Sequence, residues 1–358
     1  STITSLPDSI GNKRVLYVDS TYIELRSQIY RPTFKPDFLG VRFDNTLLFT
    51  RYLPYNSNGG NMNVPNIGAL FFASLLDKFE NYRLSGGLKL PSGDGGMTYI
   101  FGFDNFKRRV DWGVQFFRQR NNREYQFLLS TNDIYISPGK TFTNYLQGYA
   151  NYPLSKVSSI RMNFGIRRDD MVISLQDFLG LNLPNTQEYW AMSRTEFVYD
   201  DTKMPIYNIW NGVRFKFFLE YNYKAYSNND FYQLSGSQLT KKGGMINFGF
   251  DNRFYKKVFK EAIFAARLSG AHSAGNHQLQ YVLGGVENPV LNNRKYGYAP
   301  NPSPEMNYAY QTQISNLRGY NINDRNGNTF LLANFELRIP IMNTFFNKPT
   351  QSSILQYL

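Results

Sequence analysis

The chain has no cysteine, two histidines and no long apolar run, and each scarcity removes a class of protein. Without cysteine it can form neither disulfides nor thiolate metal sites. His272 and His277 lie in a loop of small residues with no carboxylate or thiol nearby to complete a metal site. No stretch reaches the roughly 18 apolar residues that a membrane-spanning helix needs. No nucleophile, base and orienting group can be assembled from these spacings, so we expect no enzyme, no cofactor and no metal.

Aromatic residues are abundant, with 27 Tyr and 30 Phe, yet the mean hydropathy is negative. The core of a soluble enzyme is normally rich in Leu, Val and Ala. Many aromatics in a polar chain suit a membrane β-barrel instead, which has aromatic girdles outside and a wet, polar lumen. We therefore expect an all-β protein that forms an antiparallel transmembrane β-barrel.

Alternation of apolar and polar residues supports strands of this kind. From 212 to 225, Phe215, Phe217 and Leu219 fall on one face, while Arg214 and Lys216 fall on the other. A soluble β-sandwich would alternate too. The apolar faces here carry large aromatics over spans long enough to cross a bilayer, and the opposite faces mix charges with glycine. The predicted lipid-facing residues are Phe215, Phe217, Leu219, Phe248, Phe250, Phe335 and Leu337, and the predicted lumen charges are Arg161, Arg167, Arg214, Lys216, Glu220, Asp251, Arg253 and Glu336.

Short connections alternate with long ones along the chain, as they do in outer-membrane barrels. Residues 1–44 contain the proline-punctuated stretch Arg31–Asp37, and we assign them to a periplasmic approach segment. Residues 45–358 form the predicted barrel. About eleven strands precede the longest loop. They are 45–52, 66–76, 81–90, 97–105, 110–120, 141–152, 158–168, 189–200, 212–225, 244–254 and 262–271, and residues Tyr125 to Leu129 could extend the fifth beyond the membrane.

The formal net charge is +12. An acidic partner is one interpretation, and a basic lumen with solvated loops is the other. The cations are scattered at alternate strand positions, with no basic helix or zinc-finger spacing, so we expect no nucleic-acid partner. The acidic partner that fits a barrel is outer-membrane lipid, including the phosphates of lipopolysaccharide.

The most specific motif lies near the C-terminal end. A long loop, 272–328, contains Leu317-Arg318-Gly319-Tyr320, and an alternating strand follows from Phe330 to Pro340. Its even positions Asn334, Glu336 and Arg338 are polar, and its odd positions are apolar. A loop of this length is functional or else argues against the assignment.

This combination resembles the sixth extracellular loop and following strand of the BamA/TamA superfamily, the bacterial surface antigen barrels. Their Val/Leu-Arg-Gly-Phe/Tyr tetrad matches Leu317 to Tyr320, and an Asp-rich turn between their strands eight and nine matches the turn after Val198. The family barrel has sixteen strands, of which about 12 to 13 are present here, so the resemblance predicts a longer, C-terminally truncated barrel. No periplasmic POTRA domain of the family is recognisable.

The resemblance implies a protein of the bacterial outer membrane that assists the insertion or translocation of other proteins. It also implies periplasmic or lipoprotein accessory subunits. A passive pore, or a structural barrel docked in a larger outer-membrane complex, remains the alternative. The family's loop inserts into the lumen, which predicts that Leu317, Arg318, Gly319 and Tyr320 anchor it against a wall made of Asn334, Glu336 and Arg338. Within that wall we expect Arg318 to grip Glu336, with Tyr320 packed alongside.

Overall fold

A computed structural model of the protein describes residues 13–18, 21–26, 30–44, 52–55, 68–91, 96–128, 134–173, 185–204, 209, 211–228, 242–259, 262–285, 306–314, 317, 319–321 and 323–339. The described residues form strands, turns and irregular segments. No helix in this part of the chain is long and apolar enough to cross a membrane. The expected all-β class is confirmed.

Eighteen strands are described, in three sheets. Their bounds are β1 Lys13–Val18, β2 Thr21–Arg26, β3 Phe34–Asp44, β4 Leu53–Pro54, β5 Gly68–Asp77, β6 Tyr82–Pro91, β7 Thr98–Asn105, β8 Asp111–Leu128, β9 Ile134–Pro153, β10 Ser158–Ile173, β11 Thr186–Asp200, β12 Gly212–Ser227, β13 Gly243–Phe259, β14 Ala262–Gly275, β15 Gln278–Leu283, β16 Tyr308–Ile314, β17 Arg325–Gly327 and β18 Thr329–Arg338.

One large antiparallel sheet dominates the fold. Its 12 strands run in the order β18-β14-β13-β12-β11-β10-β9-β8-β7-β6-β5-β3, so neighbours in the sheet are neighbours in sequence except around β4 and the long loop. Within the described residues the edge strands β3 and β18 do not pair, and the sheet is not closed. Strands β1 and β2 pair with each other as a separate hairpin.

The first strand of the large sheet begins before residue 45, where the barrel was predicted to start. Strand β3 begins at Phe34, inside the segment assigned to a periplasmic approach, and pairs along its length with β5. Prolines led to its interpretation as a connector, but Pro36 lies on an edge strand beside a register shift, where a missing amide donor is tolerated. The predicted strand 45–52 falls largely outside the described residues. Eleven strands of the large sheet still precede the long loop, because β3 takes the place of that strand.

The extension predicted after the fifth strand is present. Strand β8 runs on to Leu128 and pairs with the equally long β9, out to the pair Leu128 and Ile134. These two strands therefore project beyond their neighbours as a long hairpin.

The two faces of the large sheet have opposite chemistry, as the two-residue period predicted. On β12, Phe217 and Leu219 are 50% and 58% exposed, whereas Glu220 and Asn222 are 3% and 0% exposed. The same holds on β18, where Phe335 is 72% exposed and its neighbours Asn334 and Glu336 are partly covered. We call these the aromatic face and the polar face. Polar side chains are buried and large apolar ones are exposed, the reverse of a sheet that folds in water.

Glycines on the polar face make room for large side chains from neighbouring strands. The Tyr145 ring lies over Gly165, so that a Cβ at Gly165 would be 2.6 Å from the ring. Gly148 lies on the aromatic face, and a Cβ there would meet its nearest atom, the Gly113 carbonyl oxygen, at 3.9 Å.

We therefore expect Gly165→Val to destabilise the protein by about 1–3 kcal/mol, because the Tyr145 ring must move. Gly148→Val is the matched control, since it adds the same β-branched residue in open space. Urea unfolding of the two variants measures the difference. Equal stabilities would contradict the packing of Tyr145 on Gly165.

Candidate functional site

A small four-stranded sheet lies against the polar face of the large one. Its order is β17-β15-β16-β4. Strands β15, β16 and β17 come from the long loop between β14 and β18, whereas β4 comes from the connection between β3 and β5. Tyr310 and Gln311 of β16 pair with Pro54 and Leu53, so two distant connections build one unit.

An apolar cluster joins the small sheet to the large one. Trp190 of β11 and Met245 of β13 are fully buried, and Tyr310, Leu279 and Tyr281 of the small sheet pack with them. The Trp190 ring lies 5.0 Å from the Tyr310 ring and 5.3 Å from the His277 ring, measured between centroids. The long loop is therefore folded back against the polar face.

A buried ion pair on β10 forms the first polar contact between the sheets. Arg167 Nε donates to Asp169 Oδ2 at 2.8 Å, and both side chains are 2% exposed. The guanidinium also donates from Nη1 to the Tyr52 carbonyl oxygen at 3.0 Å and lies 4.4 Å from the Tyr310 ring centroid. Tyr310 in turn donates its hydroxyl to Asp169 Oδ2 at 3.1 Å. The pair thus holds both connections that build the small sheet.

The Tyr52 side chain forms the second contact. Its hydroxyl donates to Glu220 Oε2 at 2.5 Å, and Arg194 Nη1 donates to the same oxygen at 2.7 Å. Arg194 also reaches Glu196 on its own strand at 2.6 Å, while its bond to Glu220 links β11 and β12 beneath the small sheet. Burial raises the pKa of both the Tyr52 and Tyr310 phenols well above its ordinary value, so both act as hydrogen-bond donors.

A third contact surrounds Trp190. Glu188 Oε1 accepts from Lys224 Nζ at 2.6 Å, and Glu188 Oε2 lies 3.3 Å from the indole nitrogen, which donates to it. Lys224 is 2% exposed, so its charge is neutralised within the protein. Desolvated ions of this kind are costly unless each is paired, and the pairing here depends on strands staying in register.

Beside the small sheet, the polar face lines a cavity of about 460 Å³. Its walls come from β9 to β12 and from Tyr52, and they include Arg161, Arg194 and Glu220. Arg161 is exposed to this space on the same face as Arg167. The small sheet therefore leaves part of the polar face open to a space with charged walls.

All the predicted lumen charges lie on the polar face, and most of them are paired. Asp251 accepts from Arg253 and Arg267, each at 2.9 Å, and Arg214 reaches Asp200 at 2.5 Å. Lys216 lies 3.9 Å from Glu196.

The Asp-rich turn between β11 and β12 is ordered by its own carboxylates. Asp200 accepts from the Thr202 amide at 3.1 Å, and Asp201 accepts from the Val213 amide at 2.5 Å. Gly212 follows with φ +120°, a conformation that favours glycine.

The predicted anchor tetrad is described in part. Leu317 bridges to Gly285, and Gly319 has φ +86°, the left-handed geometry that a tight turn needs. Tyr320 is 56% exposed among the described residues, and its packing against the wall stays a prediction. Arg318 lies outside the described residues, and its contact with Glu336 stays a prediction.

The predicted wall residues Asn334, Glu336 and Arg338 lie on the polar face of β18. Glu336 Oε2 accepts from Arg338 Nη2 at 2.9 Å, within the same strand. The contacts between the small sheet and β18 lie at the N-terminal end of that strand. The Tyr281 ring is 4.9 Å from the Phe330 ring, and Asn328 donates to Gln278 at 3.3 Å.

The sequence did not single out Tyr52, Trp190 or Tyr310 as docking residues. Their one signal was placement at inward positions or in loops of a chain in which many strand aromatics face outward. The two histidines lie on opposite faces of the large sheet. His277 is buried beside Trp190, whereas His272 packs on Phe248 of the aromatic face.

A scan against models of known protein families finds none that matches this chain, and a search of characterised proteins finds no significant relative.

Proposed function

We propose that this chain is the greater part of a BamA-like β-barrel of the bacterial outer membrane, which assists the insertion or translocation of other proteins. One observation carries the proposal. The connection between the eleventh and twelfth strands of the large sheet folds back and packs on the polar face. A loop held in this way is what the resemblance at Leu317 to Tyr320 implies.

The inverted polarity of the large sheet supports a membrane location. Exposed side chains such as Phe164, Phe217 and Phe335 form a continuous apolar surface that water would disfavour. Lipid would accept that surface, and a closed barrel would satisfy the edge amides that β3 and β18 leave unpaired. Pairing of these two edges, directly or through further strands, would complete the closure.

The connections support an orientation. Those at one end of the large sheet are mostly short, such as 78–81, 106–110 and 154–157, and those at the other end include the two that build the small sheet. In outer-membrane barrels the short turns face the periplasm and the long loops face outward. The small sheet therefore enters the lumen from the outer side.

A reconstituted folding assay tests the function. The protein, in vesicles, is mixed with a urea-unfolded outer-membrane barrel as client, and client folding is followed by the shift of its band in unheated gels. We expect faster folding than in vesicles that hold an unrelated passive barrel at equal density. Arg318→Ala is expected to remove the acceleration, and Arg325→Ala, a change in the same loop, should retain it.

Folding no faster than with the passive barrel would contradict an insertase. If the vesicles also conducted ions freely, the alternative of a passive pore would hold instead. A sealed, inactive protein would favour a structural subunit of a larger complex.

A further inference from the structure

Five connections lie at the same end of the large sheet and share one composition. They join β5 to β6, β7 to β8, β9 to β10, β11 to β12 and β13 to β14. Each carries at least one exposed cation at its turn or the adjoining strand end. These exposed cations, which we call the basic rim, are Lys78, Lys107, Arg108, Arg109, Lys156, Lys203 and Lys256.

Few carboxylates offset the basic rim. Among the described residues of these connections and the adjoining strand ends, Glu80 is the exposed acid, and Asp111 is half-buried. Asp77 is 2% exposed, and Asp200 and Asp201 are engaged in the turn after β11. The rim therefore presents an excess of positive charge across most of the width of the sheet.

Exposed apolar side chains alternate with these cations. They occur in four of the five connections, and they are Phe79, Leu154, Val157, Met204, Val258 and Phe259. In the connection from β7 to β8, the nearest counterpart is Trp112, which is 43% exposed at the start of β8. Mixed basic and apolar residues with an interfacial Trp are the composition of surfaces that lie at the boundary between headgroups and acyl chains.

Arg109 fixes the side of the sheet on which part of this charge lies. Its Nη2 donates to the Pro153 carbonyl oxygen at 3.1 Å, and its guanidinium lies 4.8 Å from the Tyr152 ring centroid. Tyr152 is on the aromatic face and is 39% exposed. This cation therefore borders the apolar perimeter, where lipid would lie, rather than the polar face.

We propose that the basic rim binds the phosphate headgroups of anionic phospholipid in the leaflet at the short-turn end. The orientation and the bilayer contact rest on the proposed function. Each Lys or Arg near an anionic bilayer surface is attracted to it, and its long aliphatic stem lets the charge reach the headgroups while the stem stays among apolar neighbours. The apolar residues of the turns would enter the same leaflet, a contact that an acidic soluble protein could not offer.

Trp112 gives a direct reporter of the lipid beside the rim. Of the three tryptophans, Trp190 is fully buried, and Trp210 lies outside the described residues. The protein is inserted into vesicles of mixed phosphatidylglycerol and phosphatidylcholine, in which one or the other lipid carries bromine, a contact quencher. The difference between the protein and its Trp112→Phe variant isolates the Trp112 signal.

We expect brominated phosphatidylglycerol to quench Trp112 as if enriched about threefold over its mole fraction, because several cations attract it. The quadruple variant Lys107→Gln, Arg108→Gln, Lys156→Gln and Lys256→Gln should abolish the enrichment, as should salt of about 1 M. The matched control Arg118→Gln, Lys140→Gln, Lys242→Gln and Arg325→Gln removes the same charge away from the rim and should retain the enrichment.

Quenching by both lipids in proportion to their mole fractions would overturn the rim proposal and leave the barrel intact. Equal loss in the two quadruple variants would overturn it too, since net charge alone would then explain the effect. Absence of quenching by either lipid would mean that the aromatic face does not meet a bilayer, which contradicts the proposed function as well.

Discussion

Phe217→Arg is expected to prevent this chain from folding in a bilayer. Phe217 lies on the aromatic face of β12, near the middle of the strand, opposite Phe250 of β13. A charged residue facing lipid at that depth costs about 2–4 kcal/mol, which is a large fraction of the stability of a small barrel. The folded fraction in vesicles, read from the gel shift between unheated and heated samples, measures the effect.

Lys216→Gln is the matched control for Phe217→Arg. It changes the adjacent residue, whose side chain lies on the polar face 3.9 Å from Glu196, and it removes a charge instead of adding one. We expect it to cost about 1 kcal/mol or less. A soluble sheet would give the opposite order, because arginine at a half-exposed position in water is tolerated. Normal folding of Phe217→Arg would therefore contradict the assignment of this face to lipid.

Arg167→Ala is expected to release the small sheet from the polar face. The change leaves Asp169 buried without its ion-pair partner and removes the hydrogen bond to the Tyr52 carbonyl oxygen. Breaking a buried pair from one side costs about 3–5 kcal/mol. Because Arg167 holds both β4 and β16, we expect frequent openings of the lumen, seen as raised conductance in planar bilayers, together with a lower urea midpoint.

Arg161→Ala is the control for this prediction. Arg161 lies on the same strand and the same face, but it is exposed to the cavity. Removing it should change stability by about 0.5 kcal/mol or less and leave the channel closed. If the two variants conducted equally, the buried pair would not be what holds the small sheet.

The sequence predicted which side chains share a face, because the side chains of a strand between an apolar and a polar medium alternate with a period of two. Phe215, Phe217 and Leu219 could only share a face, and a slip of one residue would have put Lys216 and Glu220 on the aromatic face. The number of strands before the long loop was readable for the same reason. Strand β3 was missed because Pro36 hid its period, and local propensity cannot tell an edge strand with a bulge from a connector.

The docking of the small sheet was not readable in detail. The long loop was expected to fold back, but Tyr310 meets Asp169, which lies 141 residues before it, and Tyr52 meets Glu220, which lies 168 residues after it. No local pattern fixes which inward residues a loop will reach, since the choice depends on the shape of the whole sheet. The short strands β15 and β16 gain their stability from pairing with each other and from Trp190, so they carry little signal of their own.

Site-directed spin labelling along β12 tests the central claim, that the aromatic face meets lipid and the polar face meets water. The chain has no cysteine, so one engineered cysteine at a time gives a unique label. Labels at 215, 217, 219 and 221 are predicted to be reached by oxygen, which partitions into lipid, and to be shielded from a water-soluble nickel chelate. Labels at 214, 216 and 218 should show the reverse, with an alternation of period two. Nickel access at 217 and 219 equal to or above that at 216 and 218 would contradict the account.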